Sequence, residues 1–219
     1  MGASMAKRRK VGNLLALAVL SALVQRPMHP YEMASVLRSR GKDGDMAIKW
    51  GSLYTVVRNL ARHGFIEAVD VGRQGARPER TTYRITGAGR AELADWTREL
   101  IAEPEPELPR FKAGLSVLAV LPPGEVVELL RRRLAALTEG IAAQREALVR
   151  HGAEVPRLFL VEDEYELAVR EAEAAWVRSL LDELASGRYP GLDAWRAWHD
   201  TGEMPADLAE LAERGGGTG

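Results

Sequence analysis

Residues 49–84, KWGSLYTVVRNLARHGFIEAVDVGRQGARPERTTYR, combine side chains suited to gripping a polyanion. Arg58 and Asn59 present the donors and acceptors that pair with base edges or phosphate oxygens. Thr55 offers a methyl group that can meet a thymine methyl. Lys49 adds a phosphate contact just ahead of the helix. Ser52 is the expected N-cap, beside free backbone N–H groups able to receive a phosphate. Two roles stay open for Tyr54: an inner packing position, or a contact with the DNA backbone through its hydroxyl. Further on, Arg73, Arg77 and Arg80 crowd a glycine-rich tip that can reach phosphates or a narrow minor groove. The plainer alternative for that tip is an ordinary solvated hairpin end.

Positioning these groups requires a helix, a strand, a charged loop and a second strand, the order of a winged helix-turn-helix. Leu53, Val56, Val57 and Leu60 recur at helical spacing. Gly64 is a good stop after His63. Strands are expected over 65–71 and 81–85, with Tyr83 and Ile85 on one face and Thr82 and Arg84 on the other. Ahead of them, residues 11–24 form a helix apolar on most sides, suited to the middle of a domain. His29-Pro30 opens a second helix whose inner stripe is Tyr31, Met33, Ala34 and Leu37. After the wing, Thr86 caps a helix carrying Leu93, Trp96 and Leu100.

Glu103-Pro-Glu-Pro-Glu then interrupts the chain. Beyond it the pattern is helical. A short apolar segment covers 110–121, and Pro122-Pro123-Gly124-Glu125 starts a long amphipathic helix. Its Val127, Leu130, Leu134, Leu137, Ile141 and Leu148 resemble a coiled-coil seam. A second long helix, over 158–184, carries Leu160, Tyr165, Leu167, Trp176, Leu180 and Leu181, and Arg188-Tyr-Pro-Gly ends it. A last short segment, 192–199, holds Trp195 and Trp198. With Trp176, these are read as anchors between C-terminal helices. The fold expected is mainly α with a small β wing. Residues 1–10 form a flexible basic arm, with 1–4 read as a cloning scar before a natural start at Met5. Residues 11–102 form the winged helix-turn-helix, 103–110 a connector, 111–201 a helical dimerisation and effector domain, and 202–219 a partly disordered tail.

The net charge of −1 conceals a strong asymmetry. Residues 1–90 hold 16 Lys/Arg against 6 Asp/Glu, and residues 91–219 hold 14 against 25. The first part, at +10, suits DNA; the second, at −11, would be repelled by it. Cysteine is absent, which excludes disulfides, thiolate catalysis and zinc–cysteine sites and fits a reducing cytosol. No apolar run is long enough to span a membrane, and no signal peptide is evident. The four histidines, His29, His63, His151 and His199, lack metal-ligand spacing. Glu162, Asp163 and Glu164 read as a solvated helix face. Neither a catalytic constellation nor a cofactor is called for.

GSLYTVVRNLARHGFIEA followed by TTYRITGAGRAELADW resembles the signature of the PadR family of bacterial transcriptional regulators. Gly51, Ser52, Leu53 and Tyr54 match the opening of the family's recognition helix, and Thr55 stands where a proline is usual. Leu60, Gly64, Phe65, Ile66, Tyr83, Ile85, Thr86, Gly89 and Arg90 also match, and His29-Pro30-Tyr31-Glu32 resembles the family's second-helix opening. The likeness is specific over residues 11–100 and is one of size and helix pattern beyond. It implies a cytoplasmic, nucleoid-associated homodimeric repressor on a pseudo-palindromic operator, released in some members by a small aromatic or cationic compound. It also implies that Tyr54 faces DNA and that Trp96 lies near an interfacial ligand region. Leu93, Trp96, Leu100, Phe111 and Trp176 are the candidate effector or dimer-interface residues. Two further readings compete: a constitutive repressor whose C-terminal domain only dimerises it, and a winged-helix protein–protein adaptor. Cavity space beside Trp96 or Trp176 separates the first two, because a packed core favours the constitutive form.

Overall fold

A computed structural model describes residues 9–42, 46, 48–72, 80–104 and 109–206, with side chains at all of these except 70–72 and 80. The chain divides into two compact units, residues 1–106 and 107–219.

The first unit is built around α1 (Leu14–Leu23), whose residues Leu15–Leu20, Ala22 and Leu23 are all buried. The Asn13 side chain accepts the Leu15 N–H at 2.8 Å and starts the helix. Ser21 donates its hydroxyl to the Ala18 carbonyl, so this polar group is satisfied within the helix. Next comes α2 (Pro30–Ser39), closed at its start by a reciprocal box. His29 Nδ1 accepts the Tyr31 N–H, and the Glu32 carboxylate accepts the His29 N–H at 2.8 Å. That N–H is the main reason the Glu32 carboxyl sits below its ordinary pKa. Partial burial opposes the shift, and Arg26 at 3.3 Å adds to it.

Met33, Ala34 and Leu37 form the inner stripe of α2, but Tyr31 does not join them and is 72% exposed. Two residues apart on a helix means about 200° around its axis, so Tyr31 and Met33 cannot share a face.

A three-ten turn (Trp50–Ser52) leads into α3 (Leu53–Arg62), and Gly64 leaves that helix at a φ of 74°. The wing strands are β1 (Ile66–Gly72) and β2 (Arg80–Ile85), antiparallel, with Ile66 opposite Ile85 and a bulge between Ala68 and Asp70. Met28 and Tyr83 exchange both backbone hydrogen bonds at 3.0 Å, fastening the hairpin to the turn between α1 and α2. α4 (Gly87–Ala102) follows, capped by Thr86, whose hydroxyl accepts the Gly89 N–H. A Cβ on Gly89 would stand 2.0 Å from the Phe65 carbonyl oxygen, so glycine alone lets α4 seat against the end of β1.

In the second unit, α5 (Arg110–Leu115) and a three-ten turn (Leu118–Val120) replace the continuous segment expected over 110–121. α6 (Pro123–Gly152) and α7 (Val161–Ser186) pair as an antiparallel hairpin, and α8 (Leu192–Thr201) closes one end. Val126, Leu130, Val177, Leu184, Leu192 and Trp195 are the core at that end. Within the seam predicted on α6, Leu130 and Ile141 are fully buried, while Val127, Leu134, Leu137 and Leu148 are half-buried. Arg133 and Arg145 on α6 pair with Glu173 and Glu171 on α7. Trp195 anchors α8 by donating its indole N–H to the Leu121 carbonyl at 3.0 Å. Trp176 is 49% exposed and Tyr165 68% exposed, so neither is the inward anchor that its apolar character suggests.

Candidate nucleic-acid interface

α3 is divided cleanly by its periodicity. Leu53, Val56, Val57 and Leu60 face the core. Tyr54, Thr55, Arg58 and Arg62 are exposed, and Asn59 is half-buried. The helix holds two arginines and no acidic residue, and exposed Lys49 stands just before it, so every charge on its outer face is positive. Tyr54, at 59% exposure, does not take the inner packing position. The Arg58 guanidinium lies 3.5 Å from the Thr55 hydroxyl, a separation too long to hold it firmly.

Ser52 does not act as the expected cap. Its backbone is helical (φ −94°, ψ −2°), whereas a capping residue is extended. Both its N–H, at 3.0 Å, and its hydroxyl, at 2.8 Å, donate to the Lys49 carbonyl instead. The three-ten turn therefore consumes a backbone donor that was expected to be open to a phosphate. What it achieves is to fix Lys49 at the mouth of α3.

Sequence reasoning overlooked the pair behind this turn. Trp50 packs on the core with the Arg38 guanidinium of α2 stacked on its ring at 4.4 Å. An aromatic residue at the entrance of the helix was the available signal. On the wing, Arg84 and Glu67 form an exposed cross-strand pair at 2.7 Å. Arg73 and Arg77 lie outside the described residues, and Arg80 is described only as the first residue of β2.

The basic arm differs from its sequence reading at Arg9. Rather than extending into solvent, this side chain is 4% exposed and bridges Glu92 at 2.6 Å and Glu99 at 2.5 Å on α4. Its guanidinium lies 5.1 Å from the centre of the Trp96 ring. Trp96, 4% exposed, is a core residue of the first unit, held beneath Arg9 and not walling an open pocket. Leu93 packs half-buried on the same core, and Leu100 is 44% exposed. In the second unit, Phe111 meets Trp176 edge-on at 6.0 Å.

Among the described residues no group of three His, Asp or Glu side chains is placed to hold a metal ion. No helix among them is long and apolar enough to cross a membrane.

A helix with one buried and one basic face, followed by a hairpin fastened to the helix-turn-helix, is the arrangement of a winged-helix unit. Residues 19–95 match the model of the Transcriptional regulator PadR-like family. That family likeness is confined to residues 19–95 and does not extend to the helical second unit. The fold of the chain is similar to that of Bacillus subtilis PadR in complex with operator DNA. The identity there is 21% and the TM-score 0.64, with 78% of this chain and 97% of that one covered. Against the same Bacillus subtilis protein in complex with p-coumaric acid the identity is 21% and the TM-score 0.62, covering 78% and 99%. The Vibrio cholerae virulence activator AphA is similar at 20% identity and a TM-score of 0.58, covering 78% and 98%. No curated protein sequence matches.

Proposed function

We propose that this chain is a homodimeric repressor that grips an inverted-repeat operator with two copies of α3 and is released by a small hydrophobic effector. The observation that carries the reading is the basic outer face of α3, where Tyr54, Thr55 and Arg58 project from a helix anchored by four buried apolar residues. Arg58 and Asn59 are the base-reading candidates. Lys49, Ser52, Tyr54 and Thr55 flank them toward the backbone, and Arg73, Arg77 and Arg80 serve the wing. The operator complex of Bacillus subtilis PadR supports the DNA role, and its p-coumaric acid complex supports control by a small molecule. Exposed Leu129 and Val149 on α6 and Val169 and Trp176 on α7 support a second copy as partner.

The test is an anisotropy titration of the protein against its own upstream intergenic DNA and against a random duplex, with light scattering for stoichiometry. One dimer on a short inverted repeat, with affinity falling steeply with salt, is expected. Arg58→Ala weakens specific binding by about 1–3 kcal/mol if it reads a base. If it touches phosphate, it weakens all sequences alike and lowers the salt slope by about one. Unchanged affinity for both duplexes would refute the assignment of α3.

A further inference from the structure

The second unit contains a cavity of about 380 Å³ between α5, the Leu118–Val120 turn and the first half of α6. That volume is within the usual range for small-molecule sites. Phe111, Leu115, Leu118, Leu121, Leu129 and Leu130 supply most of its wall, and Arg110 and Arg133 supply its charge. None of its lining residues is acidic.

Three details narrow what it can hold. The aromatic wall residue, Phe111, is already engaged: the Arg133 guanidinium covers one face of its ring at 3.7 Å and Trp176 meets it edge-on. The Arg133 guanidinium thus takes a face on which a flat ligand would stack, and the leucine and valine side chains of the remaining wall suit an alkyl chain. The charge of Arg133 is balanced by Glu173, whose carboxylate accepts its Nε–H at 2.6 Å. Arg110 is then the cation that faces an incoming anion. Gly114, also on the wall, has nothing within 4 Å of where a Cβ would stand, so space there is open.

We infer that this cavity binds a medium-chain aliphatic carboxylate, its tail among the leucines and its head at Arg110. The inference deepens the proposed ligand-responsive regulation and depends on that reading only for the consequence on DNA. The alkyl chain lies along the leucine wall, and the carboxylate stays at the arginine rim, where it need not lose all its water.

Calorimetry of the full-length protein with decanoate below its micelle concentration, and with 1-decanol as neutral control, tests this directly. One decanoate per chain is expected. Arg110→Gln weakens decanoate about tenfold or more and leaves decanol unchanged, as removal of a charge-assisted hydrogen bond requires. Gly114→Leu fills the space and abolishes binding of both, with the melting temperature retained. Leu129→Phe narrows the same wall and serves as the second filled variant. Absence of saturable binding, or full binding by both filled variants, overturns the assignment. So does a change of oligomeric mass in Gly114→Leu, because a second copy would then be the occupant. Anisotropy on DNA separates the two levels. Decanoate that binds without altering DNA affinity refutes the ligand-responsive reading and leaves the cavity assignment standing. Release of DNA by another compound, with no decanoate binding, does the reverse.

Discussion

Replacing Arg9 with methionine tests how the first unit is held together. The substitution keeps most of the apolar stem over Trp96 and removes the guanidinium. Two carboxylates, Glu92 and Glu99, with side-chain exposures of 18% and 21%, are then left without their shared cation. Breaking a buried pair by deleting one partner costs about 3–5 kcal/mol. Contact of the guanidinium with the Trp96 ring adds about 1 kcal/mol to the loss. Against this, Arg9 Nε is buried with no hydrogen-bond partner. Relief of that unsatisfied donor returns about 1–3 kcal/mol. The balance is a destabilisation of about 3 kcal/mol, or about 12–24 °C in the melting temperature of a unit of this size. Scanning calorimetry of the full chain measures it as a shift of the first unit's transition. Adding Glu92→Gln and Glu99→Gln to Arg9→Met restores most of the loss, because neutral partners remove the uncompensated charge. A melting temperature within 2 °C of wild type, by order of magnitude about 0.5 kcal/mol, for Arg9→Met alone would refute the reasoning and return Arg9 to the solvated arm.

Gly89→Ala is expected to destabilise the first unit by about 3 kcal/mol or more, since its methyl group meets backbone at the Phe65 carbonyl; urea unfolding measures this. Trp195→Phe loses the bond to the Leu121 carbonyl and leaves that acceptor unpaired, costing about 1–3 kcal/mol, read as a lower urea midpoint for the second unit. The folded pKa of Glu32 is depressed, so its stabilisation is fully present above the unfolded carboxylate pKa and is lost as pH falls through the lower folded value. Glu32→Ala is accordingly less stable than wild type at pH 7, and melts taken at decreasing pH show the gap closing below the ordinary carboxylate range. The double variant Arg73→Ala/Arg77→Ala weakens specific and random DNA alike and lowers the salt slope by about two, one for each phosphate no longer neutralised; anisotropy at several salt concentrations checks it.

The order of elements in the first unit was legible in the chain because its signals are local. The apolar spacing of Leu53, Val56, Val57 and Leu60 sets the buried face of α3. Gly64 and Thr86 mark where helices stop and start, and alternation through Tyr83 and Ile85 marks the second wing strand. The same rules fail where one residue's partner lies far along the chain. Nothing adjacent to Arg9 shows that Glu92 and Glu99 will stand one above the other on α4 with Trp96 between them. A basic run near the start of a chain otherwise reads as a solvated arm. Nor does local sequence show that Ser52 will turn its hydroxyl back to Lys49, because that depends on whether the first turn is three-ten or α.

Trp96 and Phe111 carry the sharpest lesson for a ligand site. Both are large aromatics flanking the Pro-Glu break, and composition gives no reason to separate them. Packing does: one is sealed in a core beneath an arginine, and the other lines a cavity. Hydrophobic periodicity determines that a side chain turns inward. Whether it meets a neighbour or a space depends on how several elements of different length fit together, and that is a property of the tertiary structure alone.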